Sequence, residues 1–154
     1  MRACEKFADC DPSTVARWIG AIPFEEWPQQ HRLEDGKIRP AMVTNLAWRG
    51  FGIETESLVE ELVRKFEGQA SRRMLSVVMP GASIEPHADP QDERFITRVH
   101  VPLVTNPEAV FVIEGVAYHL EVGSAYRVNI NALHSVHNDG LTPRIHLMFD
   151  VRKV

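Results

Sequence analysis

The sequence has only two cysteines among its 154 residues, Cys4 and Cys10, and no CxxC pair. This argues against a disulfide framework and against a cysteine zinc site. We expect both thiols to be reduced and to lie in a frayed N-terminal segment. No apolar run approaches the length of a membrane span, and the N-terminus lacks the apolar run of a secretion signal. We therefore expect a cytoplasmic protein without a membrane partner.

Excess basic charge is also missing, since the net charge is −4 and the sequence pI is about 6.0. No Lys/Arg stripe is present, so we expect no nucleic-acid partner. Internal repeats and low-complexity segments are absent as well. The length suits one domain with a real core. We predict a single domain over 1–154, with a helical or irregular part over 1–73 and a core over 74–154 that carries the site.

Two segments of the N-terminal half predict helices. "DPSTVARWIGAI" is a short one, and "TESLVEELVRKFEG" is the clearer one. In the second, Ser57 and Glu60 fit a capping box, which predicts that the helix begins there. Its apolar residues form one stripe, which we expect to pack against a sheet: Leu58, Val59, Leu62, Val63 and Phe66.

From Met74 onward the sequence changes to short runs of β-forming residues separated by turn residues. We predict five or six short antiparallel strands, with a hairpin that turns near Glu114-Gly115. In "TRVHVPLV" and "RIHLMFDV" apolar and polar residues alternate, which places them on opposite faces of a strand. This pattern predicts a mainly β fold with flanking helices, a double-stranded β-helix or cupin-type jelly roll with short N-terminal helices. A generic β-sandwich is the alternative, and the pattern separates the two poorly.

The stretch "EPHADP" places His87 and Asp89 on one face directly after a predicted strand. Such a pair can be a surface hydrogen-bonded pair, a general base or two ligands of one metal ion. His134 follows a later predicted strand, and a jelly roll can bring these strand ends together. Two imidazoles and one carboxylate are the facial triad of non-haem Fe(II) oxygenases, which leaves coordination positions open for O2 and a cosubstrate.

Arg144 begins the last predicted strand on its polar face, and Arg98 and His100 project from a neighbouring one. An interior arginine is costly unless an anion pairs with it, and its planar fork matches a carboxylate. A metal triad together with a carboxylate anchor is what a 2-oxoglutarate-dependent oxygenase requires.

Four stretches, "LSVVMPGASIEPHADP", "TRVHVPL", "GSAYRVNINALHSVHNDG" and "RIHLMFDV", resemble the aspartyl/asparaginyl β-hydroxylase family of Fe(II)/2-oxoglutarate dioxygenases. Bacterial proline cis-4-hydroxylase is among its relatives. The resemblance covers roughly 75–152. The animal aspartyl hydroxylases have glycine where this chain has Asp89, so the chain looks closer to the bacterial amino-acid hydroxylases. Asp89 also argues against a halogenase.

The resemblance implies a role for each motif residue. His87, Asp89 and His134 would be the catalytic iron ligands, and 2-oxoglutarate and O2 the cosubstrates. Arg144 would bind the distal carboxylate of 2-oxoglutarate. The remaining cosubstrate contacts would come from Ser76, Arg98 and His100. The implied reaction is hydroxylation of an unactivated C–H bond of an amino acid, free, peptidyl or otherwise derivatised.

Substrate contacts are expected from the remaining polar and aromatic residues. Asn45, Trp48 and Arg49 in "NLAWRGFG" are candidates, although ordinary strand packing explains them equally well. His119 is expected to line the pocket, and His137 to lie near its mouth or to act as an alternative ligand. We expect Arg72 and Arg73 to form a solvated pair.

Two other functions stay open at this point. One is a cupin-type metal dioxygenase or isomerase that does not use 2-oxoglutarate, with Arg144 binding the substrate's own carboxylate. The other is a non-catalytic cupin-like binding domain. The chain is short for the family, so completion of the pocket in a homodimer is a further hypothesis.

Overall fold

The computed structural model describes residues 2–21, 41–45 and 52–154. No helix within these ranges is long and apolar enough to cross a membrane. The helices and strands in chain order are β1 (Cys4–Asp9), α1 (Ser13–Gly20), β2 (Ala41–Asn45), α2 (Ile53–Val63), β3 (Gln69–Val78), β4 (Ser83–His87), β5 (Phe95–Val104), β6 (Ala109–Ile113), β7 (Val116–Tyr118), β8 (Ser124–Val128), β9 (His134–Asn138) and β10 (Arg144–Arg152).

The strands form two antiparallel sheets. The larger sheet has the order β1-β8-β5-β10-β3-β2, and the smaller one β4-β9-β6-β7. Apolar side chains from both sheets, among them Val78, Val128, Phe111 and Val136, pack into one cluster between them. Two antiparallel sheets packed in this way are the architecture of a jelly roll, which confirms the predicted fold class.

Successive side chains of β5 and β10 point to opposite faces of the large sheet. Leu147 and Phe149 are fully buried on the face that carries the helices. Burying each of these two side chains contributes about 2 kcal/mol. Arg144 and Met148, at the alternate positions of β10, line a cavity on the opposite face. The polar residues of β10 are therefore directed towards the space between the two sheets.

Helix α2 packs against the large sheet as predicted, with Leu58, Val59 and Leu62 buried in the core cluster. Its predicted start at Ser57 is wrong, because the helix begins at Ile53. Two observations explain the extra turn. Thr55 is almost inaccessible, so the packed face extends upstream. Acidic residues in the first turn also favour a helix N-terminus there.

The predicted frayed N-terminal segment is wrong as well. Residues Cys4–Asp9 form β1, which pairs with β8 at the edge of the large sheet. Cys4 packs into the cluster between the sheets, and burial raises the pKa of its thiol to about 11. Together β1 and β2 extend this sheet into the part of the chain expected to be helical or irregular.

The hairpin between β6 and β7 turns where the sequence predicts it. Glu114 has φ 49° and Gly115 has φ 79°. Two successive residues in the left-handed region form the type I′ turn that suits a two-residue hairpin. The hairpin brings Phe111 of β6 opposite Tyr118 of β7.

Candidate metal centre and cosubstrate cavity

The three predicted iron ligands lie together at the edge of the small sheet. His87 ends β4 and His134 begins β9, and these two residues are direct partners in the strand register. Asp89 follows two positions after His87, and its backbone N–H donates to the Ile130 carbonyl oxygen at 2.8 Å. Strand pairing therefore places both imidazoles, and a backbone hydrogen bond places the carboxylate.

The ligand atoms of these residues are close enough to share one metal ion. Asp89 Oδ2 lies 3.9 Å from His87 Nε2 and 3.8 Å from His134 Nε2. One donor atom from each residue lies within 4.8 Å of the other two. Two imidazoles with one carboxylate suit Fe(II), so the donor set fits the metal that the sequence predicts.

Both imidazoles are oriented by the backbone. Nδ1 of His87 lies 2.8 Å from the Glu85 carbonyl oxygen, and Nδ1 of His134 lies 2.7 Å from that of Ala132. Donation from Nδ1 leaves the Nε2 lone pair free for a metal. Burial lowers the pKa of His134, so its ring is neutral at pH 7, as a ligand must be.

Arg144 is a buried cation with an incomplete set of hydrogen bonds. Only 3% of its surface is exposed. Its Nη1 donates to Ser76 Oγ at 3.1 Å, whereas Nη2 has no partner among the described residues. Burial lowers the pKa of Arg144 to about 9, so it stays charged at neutral pH. A buried guanidinium with free donors needs an anion, and the distal carboxylate of 2-oxoglutarate is one that fits.

A cavity of about 200 Å³ joins the donor set to Arg144. Its polar lining includes all seven predicted ligand and cosubstrate residues: Ser76, His87, Asp89, Arg98, His100, His134 and Arg144. The rest of its wall is mainly apolar and includes Ile84 and Val136 of the small sheet and Ile130 from the segment between β8 and β9. Metal and cosubstrate would therefore share this cavity, which is buried at Arg144 and partly open to solvent at His87 and Asp89.

A sequence model described as aspartyl/asparaginyl β-hydroxylase matches residues 53–154, more than half of the chain. The chain belongs to this family. As a member it is an Fe(II)- and 2-oxoglutarate-dependent dioxygenase, and the predictions of the family, the enzyme class and the cofactors are confirmed.

Solved structures place this β-hydroxylase family member on the same fold as other oxygenases. A collagen prolyl hydroxylase from Paramecium bursaria Chlorella virus-1, in complex with 2-oxoglutarate, aligns with a TM-score of 0.64 at 12% identity over 99% of this chain and 97% of that chain. A Pseudomonas putida prolyl-4-hydroxylase aligns with a TM-score of 0.62 at 15% identity over 100% and 94%. No curated protein matches the sequence.

Of the five residues predicted to contact substrate, the two whose side chains the structure describes, His119 and His137, do not line this dioxygenase cavity. His119 is exposed and binds the Ala109 carbonyl oxygen through Nδ1 at 3.1 Å. His137 lies on β9, with Nε2 3.8 Å from Asp139 Oδ2. Neither contributes to the cavity lining. Asn45 ends β2 opposite Met74, and its side chain is not described. Trp48 and Arg49 lie outside the described residues.

Two functional candidates escaped the sequence analysis. Arg72, expected to form a solvated pair with Arg73, lines the cavity instead. Asp150 is buried and forms a two-point ion pair with Arg98. The sequence signal for Asp150 was its position on the polar face of the last strand, shared with Arg144. Nothing in the sequence marked Arg72, because its direction depends on an irregularity in β3.

Behind the cavity, His146 is fully buried and carries an Nε2 without a partner in the described structure. Burial lowers the pKa of His146 well below its ordinary value of 6.5. The unfolded chain therefore binds a proton below pH 6.5 that the folded chain does not, so acid destabilises the fold. We expect the free energy of unfolding to fall below pH 6.5, and His146→Leu to reduce this slope by about 1.4 kcal/mol per pH unit.

Urea unfolding of the metal-free protein between pH 7.5 and 5 measures this slope. Equal slopes for His146→Leu and the unaltered protein would contradict the assignment.

Proposed function

We propose that this dioxygenase binds Fe(II) through His87, Asp89 and His134 and holds the distal carboxylate of 2-oxoglutarate on Arg144. The reaction is hydroxylation of an unactivated C–H bond of an amino acid, free or within a peptide. The observation that carries this proposal is that buried Arg144, whose Nη2 has no partner among the described residues, lines the same cavity as the two histidines and the carboxylate.

Each side chain has a defined task in this proposal. Bound Fe(II), with 2-oxoglutarate and O2, supplies the oxidation of the C–H bond while 2-oxoglutarate is converted to succinate and CO2. Arg144 and Ser76 fix one end of the cosubstrate by hydrogen bonds. His87, Asp89 and His134 would supply three donors to Fe(II), so coordination positions would remain for cosubstrate and O2.

We further propose that Arg72 binds a carboxylate of the substrate. The pairing of β10 with β3 contains a register shift: Met148 pairs with Met74, but Asp150 pairs with Ser71. One extra residue of β3 therefore lies between these two pairs, which makes a β-bulge. Arg72 takes the left-handed conformation at this bulge, with φ 51°. Bulges re-aim side chains next to functional sites. Arg72 is exposed and lines the cavity, whereas its neighbour Arg73 forms a two-point pair with Glu56.

Arg72→Ala tests this role. We expect the KM for the amino-acid substrate to rise about 10- to 100-fold, as when one charge-assisted contact is lost, while the KM for 2-oxoglutarate stays unchanged. Arg64→Ala, an exposed arginine at the end of α2, is the control and should leave both constants unchanged. A change in the KM for 2-oxoglutarate alone would contradict a substrate role for Arg72.

The experiment that tests the proposed function is a substrate screen. The Fe(II)-loaded protein is incubated with 2-oxoglutarate and O2, and succinate is measured in the presence of each free amino acid and of short peptides. At least one amino acid or peptide should raise succinate release well above the background, and a product heavier by one oxygen atom should appear in equal amount. Succinate without hydroxylated product across the whole panel would contradict the substrate class.

A further inference from the structure

Arg98 and Asp150 form a buried ion pair directly behind the metal ligands. Arg98 is 6% exposed and Asp150 is 2% exposed. Nε of Arg98 lies 2.6 Å from Asp150 Oδ1, and Nη2 lies 3.0 Å from Oδ2. These two parallel contacts are the strongest and most directional form of an arginine–carboxylate pair. They also leave only Nη1 of the guanidinium free of Asp150.

The remaining nitrogen of Arg98 reaches the metal site. Nη1 donates to Asp89 Oδ2 at 3.3 Å. The fold enforces this arrangement, since Arg98 on β5 and Asp150 on β10 are direct partners in the strand register. Asp89 is about one-third exposed and follows a strand rather than lying within one. Within the described part of the chain, Arg98 supplies the hydrogen bond that restrains this carboxylate.

The charge of Arg98 raises a second requirement. A guanidinium beside a site for a divalent cation repels that cation, and low-dielectric surroundings strengthen the repulsion. Asp150 supplies the balancing negative charge within the buried cluster. A buried ion pair is by itself weak grounds for a stabilising role, because desolvation offsets much of the attraction. The position of this pair next to Asp89 points to another purpose.

We propose that Asp150 is a positioning residue of the metal site that acts through Arg98. It fixes the guanidinium so that Nη1 holds the Asp89 carboxylate in place, and it offsets the charge that would otherwise weaken cation binding. The proposal rests on the role of Asp89 as a metal ligand put forward above. Partners of metal ligands commonly change metal affinity by about 10- to 100-fold when they are replaced.

The test is anaerobic titration of the full chain with Mn(II), read as the free Mn(II) signal in electron paramagnetic resonance. Asp150→Asn should raise the Mn(II) dissociation constant about 10-fold. Glu56→Gln is the matched control, because it breaks the equivalent two-point pair with Arg73 away from the cavity. It should lower stability without changing the Mn(II) affinity. An Asp150→Asn protein that binds Mn(II) as tightly as Glu56→Gln would overturn the proposal.

Two further variants separate positioning from general damage to the fold. Arg98→Gln combined with Asp150→Asn removes both charges, so it should bind Mn(II) more tightly than Asp150→Asn alone. Equal or weaker binding by the double variant would overturn the charge argument. If Asp150→Asn does not fold, Arg98→Lys tests the proposal instead. The single ammonium group of lysine cannot bind Asp150 and Asp89 at the same time, as the guanidinium of Arg98 does. Arg98→Lys should weaken Mn(II) binding, and unchanged affinity would overturn the proposal.

Failure of this inference can be told apart from failure of the proposed function. If the unaltered chain does not bind Mn(II) at all, or if Asp89→Ala binds it normally, the assignment of the metal ligands is wrong. If the unaltered chain binds Mn(II) and Asp89→Ala does not, the ligands stand. The comparison of the Mn(II) affinities of Asp150→Asn and Glu56→Gln then tests only the positioning role of Asp150.

Discussion

Replacement of His134 by alanine is expected to abolish specific Fe(II) binding and, with it, turnover of 2-oxoglutarate. His134 is the most buried of the three proposed ligands, and its ring is already oriented by the Ala132 carbonyl oxygen. The two remaining donors cannot complete a three-ligand site. We expect the Fe(II) dissociation constant to rise more than about 100-fold, beyond the effect of replacing a partner of a ligand. Anaerobic equilibrium dialysis with Fe(II) measures it.

His137→Ala is the control for this experiment and also tests the alternative ligand considered in the sequence analysis. His137 lies on the same strand, three residues further along, but does not line the cavity. The variant should bind Fe(II) like the unaltered chain. Loss of iron in His137→Ala with retention in His134→Ala would contradict the ligand assignment.

Replacement of Arg144 by methionine is expected to act on cosubstrate binding and on stability in opposite directions. The variant loses the charged hydrogen bonds to the distal carboxylate, which are worth about 3 kcal/mol, or roughly 100-fold in affinity for 2-oxoglutarate. It also removes a buried cation that has no anionic partner in the described part of the free protein. Stability without cosubstrate should therefore rise by about 1 kcal/mol.

Calorimetric titration of the Mn(II)-loaded protein with 2-oxoglutarate measures the first effect, and urea unfolding measures the second. Arg127→Met is the matched control. Arg127 lies on β8 of the same sheet, and its buried Nε also has no partner in the described parts of the chain. It lies over the Phe66 ring and does not line the cavity. It should leave cosubstrate affinity unchanged. If Arg144→Met bound 2-oxoglutarate with unchanged affinity, Arg144 would not be the anchor.

The sequence predicts those parts of the fold and site that depend on local periodicity. Alternation in "RIHLMFDV" correctly assigns Leu147 and Phe149 to the helix-covered face and Arg144 to the cavity face. The pair His87-x-Asp89 and the later His134 are brought together because each lies at a strand end of the small sheet. These features require only the two-residue repeat of a strand and the antiparallel pairing of neighbours.

The parts that sequence reasoning missed depend on contacts between distant segments. The sequence of β1 has only a weak β-strand pattern, and the strand forms because it pairs with the edge of β8. The direction of Arg72 depends on one extra residue in β3 relative to β10, which cannot be read from β3 alone. The link from Asp150 through Arg98 to Asp89 requires the register of β5 against β10. The single domain and the homodimer stay predictions, as do Asn45, Trp48 and Arg49 as substrate contacts.

The most direct test of the central claim is an anaerobic titration of the Fe(II)-loaded protein with 2-oxoglutarate, followed by visible difference spectroscopy. We expect a metal-to-ligand charge-transfer band that saturates at one 2-oxoglutarate per chain. The band should be absent in His134→Ala and should need a far higher 2-oxoglutarate concentration in Arg144→Met. No band at saturating iron and 2-oxoglutarate, or a band of full intensity in His134→Ala, would contradict the account.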